Sequence, residues 1–386
     1  MIAILKREWK SYFQNITGWL FIAAVLALYG LYFLAYNLRA GYPYVSYTLS
    51  AISFIMLIAV PILTMRSMAE ERHSRTDQLV LTAPVSLGKM IFGKFLAMVG
   101  VFTVAVAVIA VTPLVLAAFG TVPMGENYVA VLGFWLYGCT CIAVGMLASA
   151  LTESQVIAAV VAFAFLFLGY MMNSITGLIG DHLITKVLGA YDLYTPLQSF
   201  MSGCLDLTGV VYFVSVTALC LFLTCQCVQK RRWSMTTKKL TTGMFSVAMI
   251  VVGFAVAVAV NMVVKEMPSS WTAVDATSTK LYSLTDTTKD YVKNLSQDVT
   301  IYVLSSEKSA DSTLAETLQR YEDLSKHLNV VYKDPAKSPN FYQQYTDSAP
   351  SQNSMIVVSD ARSRVVDYSD IYEYSYDYST YSSSVD

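Results

Sequence analysis

The sequence has 386 residues, of which 55% are hydrophobic and 14% charged, and its formal net charge is -1. A chain this apolar is too hydrophobic for one soluble domain, so its composition predicts a membrane protein. The charge is divided unevenly, because residues 1–264 carry 15 Lys and Arg against 9 Asp and Glu, whereas residues 265–386 carry 11 against 18. All six cysteines fall in the apolar part, which does not indicate a disulfide framework.

The chain begins with a pattern typical of an interfacial helix. In residues 1–15, apolar side chains recur at helical spacing against Lys6, Arg7 and Lys10, which predicts an amphipathic helix at the membrane surface. A signal peptide is the competing interpretation. The apolar run that follows, 16–36, is long enough to span a bilayer and lacks a clear small-residue cleavage site. We therefore expect it to be retained as the first span.

Six further apolar runs approach or exceed the length that crosses a bilayer as a helix. They are 45–63, 91–119, 128–151, 156–172, 210–228 and 244–264. The run 91–119 is over-long and contains Pro113, so we expect a kink there. The sequence therefore predicts seven spans, of which six lie within residues 16–232.

The positions of Lys and Arg near the span ends predict the orientation. If six spans precede Lys230, most basic residues of the first 264 positions lie on one side, and the opposite loops hold only Arg39 and Lys186. We therefore expect a multi-pass protein of the plasma membrane with a cytoplasmic N-terminus. Residues 233–264 would form a cytoplasmic linker and the seventh span, and residues 265–386 would be extracytoplasmic.

The segment 61–94, between the second and third spans, holds most of the charge in the first half of the chain. Arg66 and Glu70 are spaced i,i+4, as are Glu71 and Arg75, so both pairs would meet on a short helix. The other side of that helix would carry the apolar residues Met65, Met68 and Ala69. A charged helix held between two spans is suited to transmit force to a cytosolic partner. A solvated loop with surface ion pairs is the alternative.

Two other regions complete the organisation. The connection 173–209 is semi-apolar and carries Asp181, His182 and Lys186, a candidate outer gate for which a plain loop is the alternative. Beyond residue 264, alternating patterns predict a small α/β domain. Its predicted strands are 299–304, 330–333, 355–358 and 364–368, with a helix at 314–328 and a helical turn at 340–345.

The sequence gives little indication of catalysis. The run from Gly88 to Lys94 has the spacing of a phosphate-binding P-loop, but Phe95 replaces the required Ser or Thr and no strand precedes it. His73, His182 and His327 fall in three different compartments, so they do not predict one metal cluster. We expect no catalytic residues, no metal and no cofactor in this chain, and no binding of nucleic acid.

Several separated stretches resemble one known family. LKREWKSYFQNITGW at 5–19, the charged segment 61–94 and LYTPLQSFMSGCLDLTGVVYF at 193–213 resemble type-2 ABC exporter permeases of the branch named for gliding motility. The resemblance covers about residues 1–232. The stretch 274–304 resembles the start of the extracytoplasmic auxiliary subunit that accompanies such permeases. In that auxiliary family the domain usually continues well past the point where this chain stops.

The resemblance implies six permease spans, in agreement with the hydropathy count. Together with the patterns above, the expected fold is a mainly α membrane protein with a six-span ABC exporter permease bundle, a seventh span and a small extracytoplasmic α/β domain. The chain would be the permease subunit, without an ATPase site of its own. Its segment 66–88 would contain the coupling helix that docks on a separate ABC ATPase subunit, which binds the ATP. The expected docking residues are Met68, packed into a groove of the ATPase, and Glu70, Glu71, Arg72, Arg75 and Asp77.

A second copy of the permease, or a related permease, is the other partner that the resemblance implies. One alternative function stays open at this stage. The chain would then be a membrane scaffold that transports nothing, and its outer domain would act on an envelope or surface partner through ATPase-driven motion.

Overall fold

The computed structural model divides the chain into two compact units, Met1–Glu266 and Met267–Asp386, each with its own hydrophobic core. The residues that it describes are 2–74, 86–179, 189–233, 239–267, 272–277, 284–295, 297–306, 309–346, 348–359, 362–371, 374–377 and 382–385.

The first unit is helical apart from a short extended segment, β1 (Cys204–Asp206). Its helices are α1 (Ile2–Gln14), α2 (Ile16–Phe33), α3 (Ser46–Thr64), α4 (Arg66–His73), α5 (Leu87–Ile109), α6 (Thr112–Ala117), α7 (Met124–Leu151), α8 (Gln155–Ile179), α9 (Tyr194–Met201), α10 (Leu207–Trp233) and α11 (Lys239–Lys265). Within the described ranges, seven segments are long and apolar enough to cross a membrane. The predicted mainly α membrane fold with seven spans is confirmed.

Polar side chains organise the turn between the first two spans. The first span ends in a π-helical turn, Leu34–Arg39, and the next helix begins at Ser46. The buried amide of Asn37 donates hydrogen bonds to the carbonyls of Tyr42 and Tyr44 at 2.7 and 3.1 Å. These bonds satisfy backbone groups of the turn that no helix or strand would satisfy.

The third span is broken where the sequence predicts a kink. α5 ends at Ile109, and α6 begins at Thr112 with Pro113 in its first turn. Proline is favourable there because the first turn of a helix has no intrahelical acceptor for the missing N–H. The hydroxyls of Tyr29 and Thr112 lie 2.6 Å apart, which joins the break to α2. The predicted kink is confirmed.

α7 lies at the centre of the bundle and packs against α3, α5, α8, α9 and α10. Glycines allow this close packing. A Cβ atom at Gly138 would lie 2.2 Å from the Phe102 ring, and one at Gly145 would lie 2.3 Å from the Thr64 hydroxyl oxygen. Small residues at such contacts let membrane helices approach closely, so α7 can serve as the helix to which the others are attached.

The last span, α11, packs on α10 through two polar contacts. Asn261 Nδ2 donates to Ser215 Oγ at 2.7 Å, and Ser246 Oγ donates to Gln226 Oε1 at 3.0 Å. Between these two contacts, Gly253 lies against a ring of α10. None of the other side chains in the apolar part of α11 is fully buried within the described chain, and many are exposed.

The second unit contains a four-stranded mixed sheet with strand order β4-β3-β5-β6. β3 runs parallel to β4 and antiparallel to β5, and β5 and β6 are antiparallel. Its elements are β2 (Ala273–Asp275), α12 (Asp286–Lys293), β3 (Val299–Val303), α13 (Ser312–Leu324), β4 (Leu328–Tyr332), a 3₁₀ turn (Phe341–Gln344), β5 (Met355–Ser359), β6 (Ser363–Val366), a 3₁₀ turn (Tyr368–Asp370), β7 (Tyr374–Asp377) and β8 (Ser382–Val385).

The core of this unit lies between α13 and one face of the sheet. Ile301 and Val303 of β3 pack with Leu314 and Leu318 of α13. The alternation along β3 explains this, because every second side chain of a strand points to the same face. The predicted order of strands and helix is confirmed, and the predicted α/β class with it.

Candidate functional site

α4 forms at the position where the charge spacing predicts a short helix. Arg66 and Glu70 make a two-point ion pair, with Nε to Oε2 and Nη2 to Oε1 both at 2.8 Å. Nη1 of Arg66 also donates to the hydroxyl of Thr17 on α2, at 3.3 Å. The predicted Arg66–Glu70 pair is confirmed. Arg75, the expected partner of Glu71, lies outside the described residues.

A buried lysine of α5 holds the middle of α4. The Lys94 side chain is 3% exposed, and its Nζ donates to Glu71 Oε1 at 2.6 Å and to the Ser67 carbonyl at 3.0 Å. The Glu8 carboxylate of α1 lies 3.6 Å from Lys94 Nζ, at ion-pair distance. An unpaired ammonium is very costly to bury, so these partners offset the burial of the Lys94 side chain.

Arg7 of α1 extends this cluster. Its Nη2 lies 2.6 Å from Glu8 Oε1 and 3.6 Å from Glu71 Oε1. The hydrogen bond with Glu8 raises the pKa of the Arg7 guanidinium above its ordinary value. Arg7, Glu8, Glu71 and Lys94 thus form an arrangement of two cations and two anions, here called the Lys94 network, which joins α1, α4 and α5.

Ser149 of α7 holds the start of α4. Its Oγ accepts the backbone N–H groups of Met68 and Ala69, each at 3.1 Å, and donates to the Met65 carbonyl at 3.0 Å. The first N–H groups of a helix have no acceptor within the helix. A side chain of another span therefore caps α4, which fixes the helix to the centre of the bundle.

Arg72 holds the end of α4. Its guanidinium lies 2.6 Å from Glu153, in the turn between α7 and α8, and donates to the Leu151 carbonyl at 3.4 Å. Leu151 is the last residue of α7, where helix carbonyls lack intrahelical partners and favour a cation. α4 is therefore attached at its start, its middle and its end.

The structure places the predicted docking residues in different environments. Met68 is 6% exposed and belongs to the bundle core, so its side chain faces this chain and not a groove of a partner. Glu71 and Arg72 bond to other helices of the chain, whereas the Glu70 side chain is 44% exposed. The remaining predicted residues, Arg75, Asp77, Asp181, His182 and Lys186, lie outside the described residues.

Sequence reasoning did not find Lys94, Ser149 or Glu8 as members of this site. Lys94 was considered only as part of a run with P-loop spacing, and the structure places that run in the first turns of α5. One signal could have indicated a role for Lys94. It is a single lysine within an apolar span, and ionisable residues in spans generally have a partner. Within the part of the chain that the structure describes, no group of three His, Cys, Asp or Glu residues could hold a metal ion.

Comparison with known families gives two matches. Residues 36–228 match the model described as ABC-2 family transporter protein, which covers half of the chain and includes α4, Lys94 and Ser149. Residues 278–371 match the model described as Domain of unknown function (DUF7088). No curated protein matches the chain. The region that holds α4 is thus similar to transporter proteins, and the second unit is similar to a domain without an assigned role.

Proposed function

The chain belongs to the ABC-2 family of transporter proteins, and from this premise we propose that it is the membrane permease subunit of an ATP-driven exporter. A separate ABC ATPase subunit binds and hydrolyses ATP, and this chain supplies no ATPase site. A second permease, either another copy or a related chain, completes the pathway across the plasma membrane. In this proposal α4 lies on the cytoplasmic side and the second unit is the extracytoplasmic auxiliary domain of the gliding-motility branch.

The attachment of α4 is the observation that supports this function. Ser149 joins its start to α7, Lys94 joins its middle to α5, and Arg72 joins its end to the turn after α7. A helix held at three levels moves together with the spans that hold it. A push on α4 would therefore be transmitted to α5 and α7, as a rigid-body switch between two arrangements requires.

Fewer residues of α4 are then available to contact the ATPase than the sequence predicts. The Glu70 side chain is 44% exposed and His73 is exposed, and the proposal keeps Arg75 and Asp77 as docking residues beyond α4. Glu71 and Arg72 act by positioning α4. Met68 contributes through packing inside the bundle.

The Ser149→Ala variant tests whether α4 transmits movement to the spans, without changing the surface that would dock on the ATPase. The change leaves the N–H groups of Met68 and Ala69 without their acceptor, at a cost of about 1–3 kcal/mol for unsatisfied buried groups. It leaves the exposed surface of α4 unchanged. We expect the ABC ATPase to co-purify at the normal level, while transport per ATP hydrolysed falls about tenfold in reconstituted vesicles, as about 1.4 kcal/mol would give.

Ser174→Ala is the matched control, because Ser174 is an exposed serine of α8. Normal transport in the Ser149 variant would show that this attachment is not the coupling route. An ATPase rate that no solute changes, together with a stable partner of the second unit, would favour the scaffold alternative.

A further inference from the structure

Two lysines on α1 have no ion-pair partner among the residues that the structure describes. Lys6 and Lys10 are exposed and spaced i,i+4, so they are neighbours on the helix surface. The ion pairs of α1 within the described ranges involve Arg7 and Glu8 and neither of these lysines. Like charges at this spacing repel each other and destabilise a helix. A source of negative charge beside the two lysines would relieve that repulsion.

Exposed apolar side chains lie beside these lysines. Ile2 is 64% exposed and Trp9 is 37% exposed, and both lie within about 60° of Lys6 on the helical wheel at 3.6 residues per turn. The Trp9 ring also packs on α5 at Gly100, where a Cβ atom would lie 1.7 Å from the ring. α1 therefore shows an apolar edge next to a cationic one, the pattern of a helix that lies in a membrane interface.

The joint between α1 and α2 places this face at the end of a span. Asn15 has an extended backbone, with φ -90° and ψ 155°, and separates the two helices. Nε1 of Trp19 donates to the Phe13 carbonyl at 2.9 Å, which fixes the bend. α2 begins a candidate span at Ile16, so α1 adjoins the end of that span, which is where lipid headgroups would lie.

We propose that α1 binds anionic phospholipid headgroups through Lys6 and Lys10, with Ile2 and Trp9 among the upper acyl chains. An anionic bilayer surface attracts each lysine, and the apolar edge supplies the burial that keeps the helix in place. Arg7 contributes less, because Glu8 and Glu71 already pair with it.

This lipid contact is joined to α4 through the Lys94 network. Glu8 follows Lys6 by two residues on α1, and its carboxylate lies 3.6 Å from the ammonium of Lys94, which holds Glu71. A headgroup that holds α1 in place thus also holds Glu8, which is one of the residues of the Lys94 network that contacts α4. The proposal does not depend on the ATPase, and its test needs only the purified chain in a bilayer.

The test measures which lipid lies next to Trp9 and Trp19, in a full chain whose other three tryptophans are replaced by Phe. The full chain is reconstituted in phosphatidylcholine bilayers that contain brominated phosphatidylglycerol or, separately, brominated phosphatidylcholine, and tryptophan quenching is compared. We expect stronger quenching by the anionic lipid, through the exposed Trp9 and Trp19. In Lys6→Gln/Lys10→Gln the preference should fall, by up to about 30-fold in relative affinity, the electrostatic contribution of two cations at an anionic surface.

Two further double variants serve as controls. Lys326→Gln/Lys337→Gln removes the same charge from exposed positions of the second unit and should keep the preference. Lys6→Arg/Lys10→Arg retains the charge and should keep it too. The proposal is overturned if the wild-type chain shows no preference for the anionic lipid, if Lys6→Gln/Lys10→Gln retains it, or if the second-unit variant loses it equally.

Discussion

The Lys94 network predicts that its two central residues are unequal in their effect on stability. Glu71→Gln leaves the ammonium of Lys94, 3% exposed, with the Ser67 carbonyl and a carboxylate at 3.6 Å. Lys94→Met instead leaves the carboxylate of Glu71, whose side chain is 21% exposed and 3.6 Å from Arg7. A buried cation has less access to water than a partly exposed anion, so Glu71→Gln should be the more destabilising change.

The magnitudes follow from the burial of each group. Breaking a buried ion pair by removing one partner costs about 3–5 kcal/mol, and the partial exposure of Glu71 places its loss near 3 kcal/mol. Lys94→Met should cost about 1–2 kcal/mol, mainly for lost charge-assisted hydrogen bonds. The double variant should cost about as much as Lys94→Met alone, because no unpaired cation is left. The coupling between the two sites is then about 3 kcal/mol.

Equilibrium unfolding in mixed detergent micelles measures the four free energies of this cycle. Lys89→Met, at an exposed position of α5, is the control and should change the free energy of unfolding by about 0.5 kcal/mol or less. The reasoning is refuted if Lys94→Met destabilises the chain more than Glu71→Gln does, or if the two losses simply add in the double variant.

Two further predictions concern the position of α1 and the orientation of the chain. Gly100→Ala should lower the free energy of unfolding by about 1–3 kcal/mol, because the new methyl group would overlap the Trp9 ring. Gly88→Ala is the control, because the space around Gly88 is open, and it should leave the free energy of unfolding unchanged. Equal losses in the two variants would contradict this prediction. A cysteine at Ser306 should react with a membrane-impermeant thiol reagent in intact cells, and one at His73 should not, in a chain without its native cysteines. The opposite labelling would mean that the chain is inverted.

Hydropathy predicted the spans well because burial in a bilayer depends mainly on local composition. The second predicted run, 45–63, corresponds to α3 at Ser46–Thr64. The predicted spans end too early where polar residues continue a helix. The run 156–172 stops before Asn173, yet α8 continues to Ile179, because helical backbone bonds persist after the side chains become polar.

The site was only partly accessible to sequence reasoning. The Arg66–Glu70 pair was predictable because both residues lie on one turn of one helix. The contact between Lys94 and Glu71 joins residues 23 positions apart, and Ser149 lies 81 positions from Met68. Such contacts depend on how whole spans pack, which no local pattern contains. For the same reason the sequence assigned Met68 to a partner, although the structure buries it in the bundle.

The two polar contacts between α10 and α11 have a thermodynamic consequence. Hydrogen bonds between membrane helices contribute on average about 0.6 kcal/mol each, because separated helices also find other partners in the lipid. The bonds Asn261–Ser215 and Ser246–Gln226 together then contribute less than about tenfold to the preference for docked over undocked α11. The transporter match ends at residue 228, before α11 begins. The attachment of α11 therefore depends mainly on van der Waals packing on α10, as at Gly253, and bilayer thickness or lipid composition can shift the contact between the two helices.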